Sequence, residues 1–209
     1  MIEVVNVTKK FGDFTAIQDL NFKVSDGSIY GLIGYNGAGK TTLLKTITGV
    51  YKPDGGEVRL DGENAFDNAK MKQHMFYVPD DIYFAPYANM EKMAKFYNGF
   101  YPDFSFDTFR KLSEVFGLDT KARINGFSKG MQRQAEIVAF AATQNIFSVT
   151  KPLTDLTLLS EHLLRICLMN IWQIQMHPLL FLHMTFMNLK GFVTISALST
   201  AKSLCLIRL

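Results

Sequence analysis

The chain has 209 residues, 48% of them hydrophobic and 20% charged, with a formal net charge of +3. That length suits one domain with room for a subdomain and a sizeable core, while the mild charge and scattered Lys and Arg residues argue against a nucleic-acid partner. Cys167 and Cys205 fit no metal spacing or disulfide framework, the N-terminus has no signal-peptide layout, and no run reaches the roughly 18 apolar residues of a membrane span, so a soluble cytoplasmic chain is expected.

Val4, Val5 and Val7 predict an edge strand that turns back over residues 9–14, and Leu20, Phe22 and Val24 alternate in a second strand closed by Asp26-Gly27. Ile29-Tyr30-Gly31-Leu32-Ile33 reads as a buried strand. It runs into Gly34-Tyr35-Asn36-Gly37-Ala38-Gly39-Lys40-Thr41, a complete G-x-x-x-x-G-K-[ST] phosphate-binding loop, and Thr42-Leu43-Leu44-Lys45 opens a helix. The glycines let the backbone curl its N–H groups toward phosphate oxygens, and the helix N-terminus adds partial positive charge. In such a loop Lys40 reaches the β- and γ-phosphates and the Thr41 hydroxyl ligates Mg²⁺.

Residues 50–61, with Pro53, Asp54-Gly55-Gly56 and Val58 and Leu60 alternating before Asp61-Gly62, predict a hairpin. Phe76-Tyr77-Val78 is a short buried strand stopped by Pro79. From Met90 to Leu118 apolar residues recur at helical spacing, broken by Gly99 and Pro102, and Ser128 is placed to cap a helix through Met131, Ile137, Val138 and Phe140. Between Ile82 and Phe109 lie ten aromatics, among them Tyr83, Phe84, Phe96, Phe100 and Phe109. They are either the core of a helical subdomain or, in part, an exposed docking groove.

Residues 1 to about 144 resemble the ATP-binding subunit of ATP-binding cassette transporters. The resemblance implies an α/β phosphate-loop NTPase fold: an antiparallel β subdomain, a parallel-sheet core and a helical subdomain over about 82–135. It places Phe11 where the family stacks an aromatic on adenine, and residues Gly34 to Thr42 on the phosphates, with Tyr35 where proline is commoner. Phe127-Ser128-Lys129-Gly130-Met131-Gln132 resembles the family's signature, departing at Lys129 from a glycine and at Met131 from a glutamine. In the family this segment faces ATP held by a second subunit, which makes Ser128, Lys129, Gly130 and Met131 nucleotide-contacting candidates. After Pro79 the family usually has a glutamine that touches Mg²⁺ and the attacking water. Asp80 stands there, followed by Asp81; an Asp can ligate Mg²⁺ directly, and two solvated acids are the other reading. ATP and Mg²⁺, a transmembrane permease subunit and a head-to-tail homo- or heterodimer are what the resemblance implies, with a location at the inner face of the cell membrane. Phosphate-loop kinases and small GTPases share Gly34 to Thr41, but neither accounts for Ser128-Lys129-Gly130, and the guanine-reading Asn-Lys-x-Asp is absent.

Residues 145–209 depart from the family. No apolar strand ends in Asp-Glu, so no general base is identified and no catalytic residue is assigned; no Ser-x-His-Asp occurs, and His183 is followed by Met184-Thr185. This tail holds only two of the 19 acids (Asp155 and Glu161) and one of the 15 glycines (Gly191), yet both cysteines. Such a composition suits neither a charged surface nor tight turns. The tail reads as translated out of frame. Joining the third base of each codon to the first two of the next, Met184-Thr185 must give Asp, Met187-Asn188 must give Glu, and His183-Met184 gives His or Tyr, preceded by codons that permit Ser-Ser. Upstream, the codons starting at Val149-Thr150 permit Asp-Glu-x-x-Asp-Gly-x-Asp-Pro. Those are the missing motifs in the family's order, and a one-base loss or two-base gain near residues 144–146 produces them. On this reading the core lacks two strands, its apolar edges stay open, the rear is poorly packed helix, and ATP hydrolysis is weak or absent. A divergent membrane-associated or partner-binding tail, with Leu179-Leu180-Phe181-Leu182 as its sticky patch, is the alternative. A non-hydrolysing, nucleotide-dependent regulatory protein is the alternative function.

Overall fold

A computed structural model describes residues 1–25, 29–33, 37–79, 83–143, 146–149, 179–182, 194–198 and 204–208. The chain divides into two compact units. The first contains residues 1–77, 146–152 and 176–209, the second 78–145 and 153–175.

The first unit holds two sheets. Strands β1 (Ile2–Phe11), β2 (Phe14–Val24), β4 (Gly55–Leu60) and β5 (Glu63–Asn64) form an antiparallel sheet in the order β2-β1-β4-β5. The strand expected at the edge is therefore internal, with β2 on one side and β4 on the other. Its valines explain this. Ile2, Val4 and Val7 are all buried, and an edge strand rarely needs so much covered apolar surface. The turn back is also tighter than residues 9–14, closing through Gly12 at φ +57° between Phe11 and Phe14. Irregular register along β1 is absorbed at Asn6 and Asp19, both at positive φ, where Asn6 and Asn21 exchange hydrogen bonds of 2.8 Å. β4 and β5 form the expected hairpin across Asp61 and Gly62, both left-handed. Gly56 is obligatory: at φ +68° its missing Cβ would lie 2.2 Å from the Asn6 carbonyl oxygen.

The second sheet has the order β6-β7-β8-β3-β10-β9, from β3 (Ile29–Ile33), β6 (Met75–Val78), β7 (Ile146–Val149), β8 (Leu179–Leu182), β9 (Thr194–Leu198) and β10 (Leu204–Arg208). β3 pairs parallel with β8 and antiparallel with β10, and β7 pairs parallel with β8. This corrects the expectation of open edges beside β3, which has a neighbour on both sides; the described elements after residue 145 are strands, and the rest of the tail expected as helix lies outside the described residues. The physical reason is that a strand buried within a sheet asks only for a short apolar run, and Leu179-Leu180-Phe181-Leu182 is one. Helix α1 (Lys40–Ile47) follows β3. Leu43, Leu44 and Ile47 from α1 share one core with Leu32 from β3 and Val4, Val7, Val24, Val58 and Leu60 from the antiparallel sheet. A short helix α2 (Ala69–Lys72) precedes β6.

The second unit is helical: α3 (Met90–Asn98), α4 (Phe106–Val115) and α5 (Lys129–Thr143). Each begins at an oxygen-bearing cap, with Asn89 accepting from the Lys92 amide, Ser105 from Thr108 and Ser128 from Met131. Phe84, Phe104 and Phe109 lie in its core with Met90, Leu112 and Val138, and Tyr97, Tyr101 and Phe106 pack against it. The core reading holds for those rings, while Tyr83, Tyr87, Phe96 and Phe100 are exposed.

Candidate nucleotide site

Gly37, Ala38 and Gly39 turn the chain from β3 into α1 with two left-handed glycines, Gly37 at φ +88° and Gly39 at φ +90°. A side chain at Gly39 would also meet the Ala16 carbonyl oxygen at 2.7 Å, so glycine is required twice over there. Among the described residues nothing lies within 4 Å of where a Cβ on Gly37 would stand. Gly39 caps α1 without a side-chain hydrogen bond, and the first turn has no acid, whereas α2 to α5 all start beneath an Asn or Ser side chain. Among the described residues no side-chain cap covers the start of α1, and the helix dipole stands behind it, an arrangement suited to an anion.

Lys40 begins this helix and is 8% exposed. Burial holds its ammonium below the usual lysine range. An anionic oxygen beside it would offset that desolvation. Thr41 and Thr42 are half-buried in the same turn and bring hard oxygen donors to the loop. The residues present therefore fit a triphosphate, and Thr41 fits a hard cation such as Mg²⁺. Gly34, Tyr35 and Asn36, and Asp80 with its proposed metal role, lie outside the described residues.

Phe11 closes β1 with its ring 45% exposed, as a stacking surface needs. Its ring meets Tyr51 edge-on at 5.5 Å and 77°, and the Lys9 Nζ stands 5.5 Å from its centroid. Tyr51 was not singled out from the sequence, because an aromatic in a polar loop carries no motif. Asp54 steadies this end of β1: it pairs with the Lys9 Nζ at 3.0 Å and accepts the Lys10 amide at 2.6 Å, which together hold its carboxyl below the usual range, the Lys10 amide most of all.

In the second unit Ser128 is exposed, its Oγ accepting the Met131 amide at 3.2 Å, with Lys129 exposed and Gly130 and Met131 half-covered. Gln132 braces the segment by donating to the Ile124 and Phe127 carbonyls at 3.2 Å each. One polar pair escaped sequence reasoning. Arg133 donates from Nη1 to the Pro79 carbonyl and to Glu136, both at 2.8 Å. Glu136 is only 6% exposed, and burial pushes its carboxyl up to about 7 against the attraction of Arg133. Tyr97, packed nearby, is pushed up to about 12 by burial and then by the Glu136 charge.

Comparison with known proteins agrees with this geometry. The family described as ABC transporter matches residues 17–148, well over half the chain. The sulfate/thiosulfate import ATP-binding protein CysA of Bradyrhizobium diazoefficiens is 42% identical over 97 residues, which cover 46% of this chain and 27% of that protein. The probable multidrug ABC transporter ATP-binding protein YbhF of Escherichia coli is 36% identical over 128 residues, 58% of this chain and 22% of that one. The matches thus span about a quarter of these relatives' length. Among solved structures, an ATP-binding subunit of an ABC transporter superposes with a TM-score of 0.80 at 23% identity, covering 88% of this chain and 80% of that one. The dimeric ABC transporter cassette MJ0796 superposes with a TM-score of 0.72 at 20% identity, covering 87% of each. Both coverages exceed what residues 1–144 of 209 can fill, so the shared fold takes in strands of the tail. The family match over more than half the chain, relatives that are ATP-binding proteins and a fold shared with solved cassettes converge: this chain belongs to the ATP-binding subunits of the ABC transporter family.

Proposed function

We propose that the chain binds Mg²⁺-ATP and acts on a separate transmembrane permease subunit, paired head to tail with another ATP-binding subunit at the inner face of the cell membrane. The observation that carries the ATP site is the start of α1: two left-handed glycines, an open cap and a buried lysine. Gly37 to Thr42 grip and orient the phosphates, Lys40 neutralises their charge, and Phe11 takes the base. Thr41, with Asp80, is the metal-holding pair, and Mg²⁺ supplies further charge neutralisation when bound. Ser128 to Met131 present their helix start to the nucleotide of the other subunit. No helix among the described residues is long and apolar enough to cross a membrane. Which substrate moves is decided in that permease.

The chain as written hydrolyses ATP weakly or not at all, because its tail is read out of frame. One observation supports this: the family match stops at residue 148, just past the expected slip. Against it stands β7, a strand over Ile146–Val149 parallel to β8, where this reading expected no sheet. The test is equilibrium binding of ATP beside a turnover assay. Saturable, Mg²⁺-dependent binding that Lys40→Ala abolishes, with no phosphate release, is expected. Turnover at the rate of an ordinary transporter ATPase refutes the defect, and absence of ATP binding refutes the site. The second reading, a regulatory protein that changes partners with nucleotide, rests on the same missing Asp-Glu.

A further inference from the structure

We propose that Tyr51 is a positioning residue for the nucleobase: it fastens the Phe11 ring to helix α1, the element whose other end carries the phosphate loop. The proposal rests on the reading of this site as an ATP site and adds to it a residue outside every motif. A ring 45% exposed at the end of a hairpin strand has little of its own to fix its plane. Tyr51 supplies that constraint by meeting Phe11 edge-on at 77°, a contact that sets the ring's tilt without covering both its faces.

Tyr51 is itself anchored. Its amide donates to the Lys45 carbonyl at 2.9 Å, and the Val50 amide donates to the same oxygen at 2.8 Å. The Lys45 ammonium stands 5.4 Å from the centre of the Tyr51 ring. Lys45 lies in the last turn of α1, whose first residue is Lys40. One eight-residue helix therefore bears the phosphate grip at its start and, through Lys45 and Tyr51, the stacking ring at its finish. From the other side the Lys9–Asp54 pair holds the end of β1. The ring and the phosphate loop are thus kept at a set separation, as a base and its triphosphate require, and ordering this pair before the ligand arrives lowers the cost of binding.

The experiment separates base from phosphate. ATP and inorganic triphosphate are each titrated, with Mg²⁺, into the full chain and into Tyr51→Ala, Tyr51→Leu and Tyr51→Phe. Losing the edge contact is expected to weaken ATP about three- to tenfold in the Ala and Leu variants, to leave inorganic triphosphate unchanged, and to spare both ligands in Tyr51→Phe. Unchanged triphosphate binding also certifies that a variant is folded, and Tyr51→Leu keeps apolar bulk should Tyr51→Ala unfold. Equal losses for both ligands, or ATP affinity indifferent to Tyr51, overturn the positioning role and leave the ATP site standing. A wild-type chain that binds neither ligand overturns the site, and Tyr51's role with it.

Discussion

Strands from the front of the chain and strands from its tail sit side by side in one sheet, yet the sequence specifies them in different ways. β3 and the antiparallel strands come with local instructions: left-handed glycines at 12, 39, 56 and 62, Asx residues that absorb irregular register, and a loop that leads β3 into α1. β7, β8, β9 and β10 come with apolar runs and little else. The difference teaches that strand order and chemistry are separable. A buried strand needs extended apolar residues, whereas a site at the strand's carboxyl end needs particular side chains. After β7 stand Thr150-Lys151, and after β8 His183-Met184, where acids would be needed.

The most drastic way to break this comparison is to restore the frame. Re-reading the nucleotide sequence around codons 140–150 and expressing the corrected chain is expected to raise ATP turnover by about 10²–10⁴, the usual contribution of a positioned general base. Turnover unaltered by the correction would show the tail's chemistry to be complete as written.

A pair of substitutions then weighs one strand of each kind. Gly56→Ala forces a Cβ against the Asn6 and Val5 carbonyl oxygens at positive φ and is expected to cost about 4 kcal/mol in denaturant unfolding. Phe181→Pro removes an N–H from β8, which has a neighbour on each side, and is expected to cost about 3 kcal/mol. If the front proves sensitive and the tail indifferent, β8 contributes nothing to the stability of the sheet.

A smaller effect comes from the helical unit, where one buried carboxyl titrates. Burial raises the Glu136 carboxyl from 4.5, its ordinary value in an unfolded chain, to about 7 when folded. Below about 4.5 both states are protonated and the stabilisation is complete. As pH rises from there to 7 the unfolded chain gives up its proton first, so stability falls, by roughly 2–3 kcal/mol over the window. Glu136→Gln should flatten that slope in melts run between pH 4.5 and 7.5. An identical slope in the variant would assign it to other groups.

The sequence by itself determined the phosphate-loop motif, the α5 cap at Ser128, the β4–β5 hairpin and the family, because each is written in contiguous residues whose local geometry has few solutions. Ser128 was legible as a cap for that reason, and Lys40 and Thr41 as candidates to hold phosphate and metal. The tertiary structure alone decided that β1 is internal, that β8 rather than β7 borders β3, that Tyr51 meets the Phe11 ring, and that Glu136 is buried. Those outcomes turn on which distant segments compete for the same apolar surface, and on burial, which moves a carboxyl or fixes a ring only once neighbours far along the chain have closed around it.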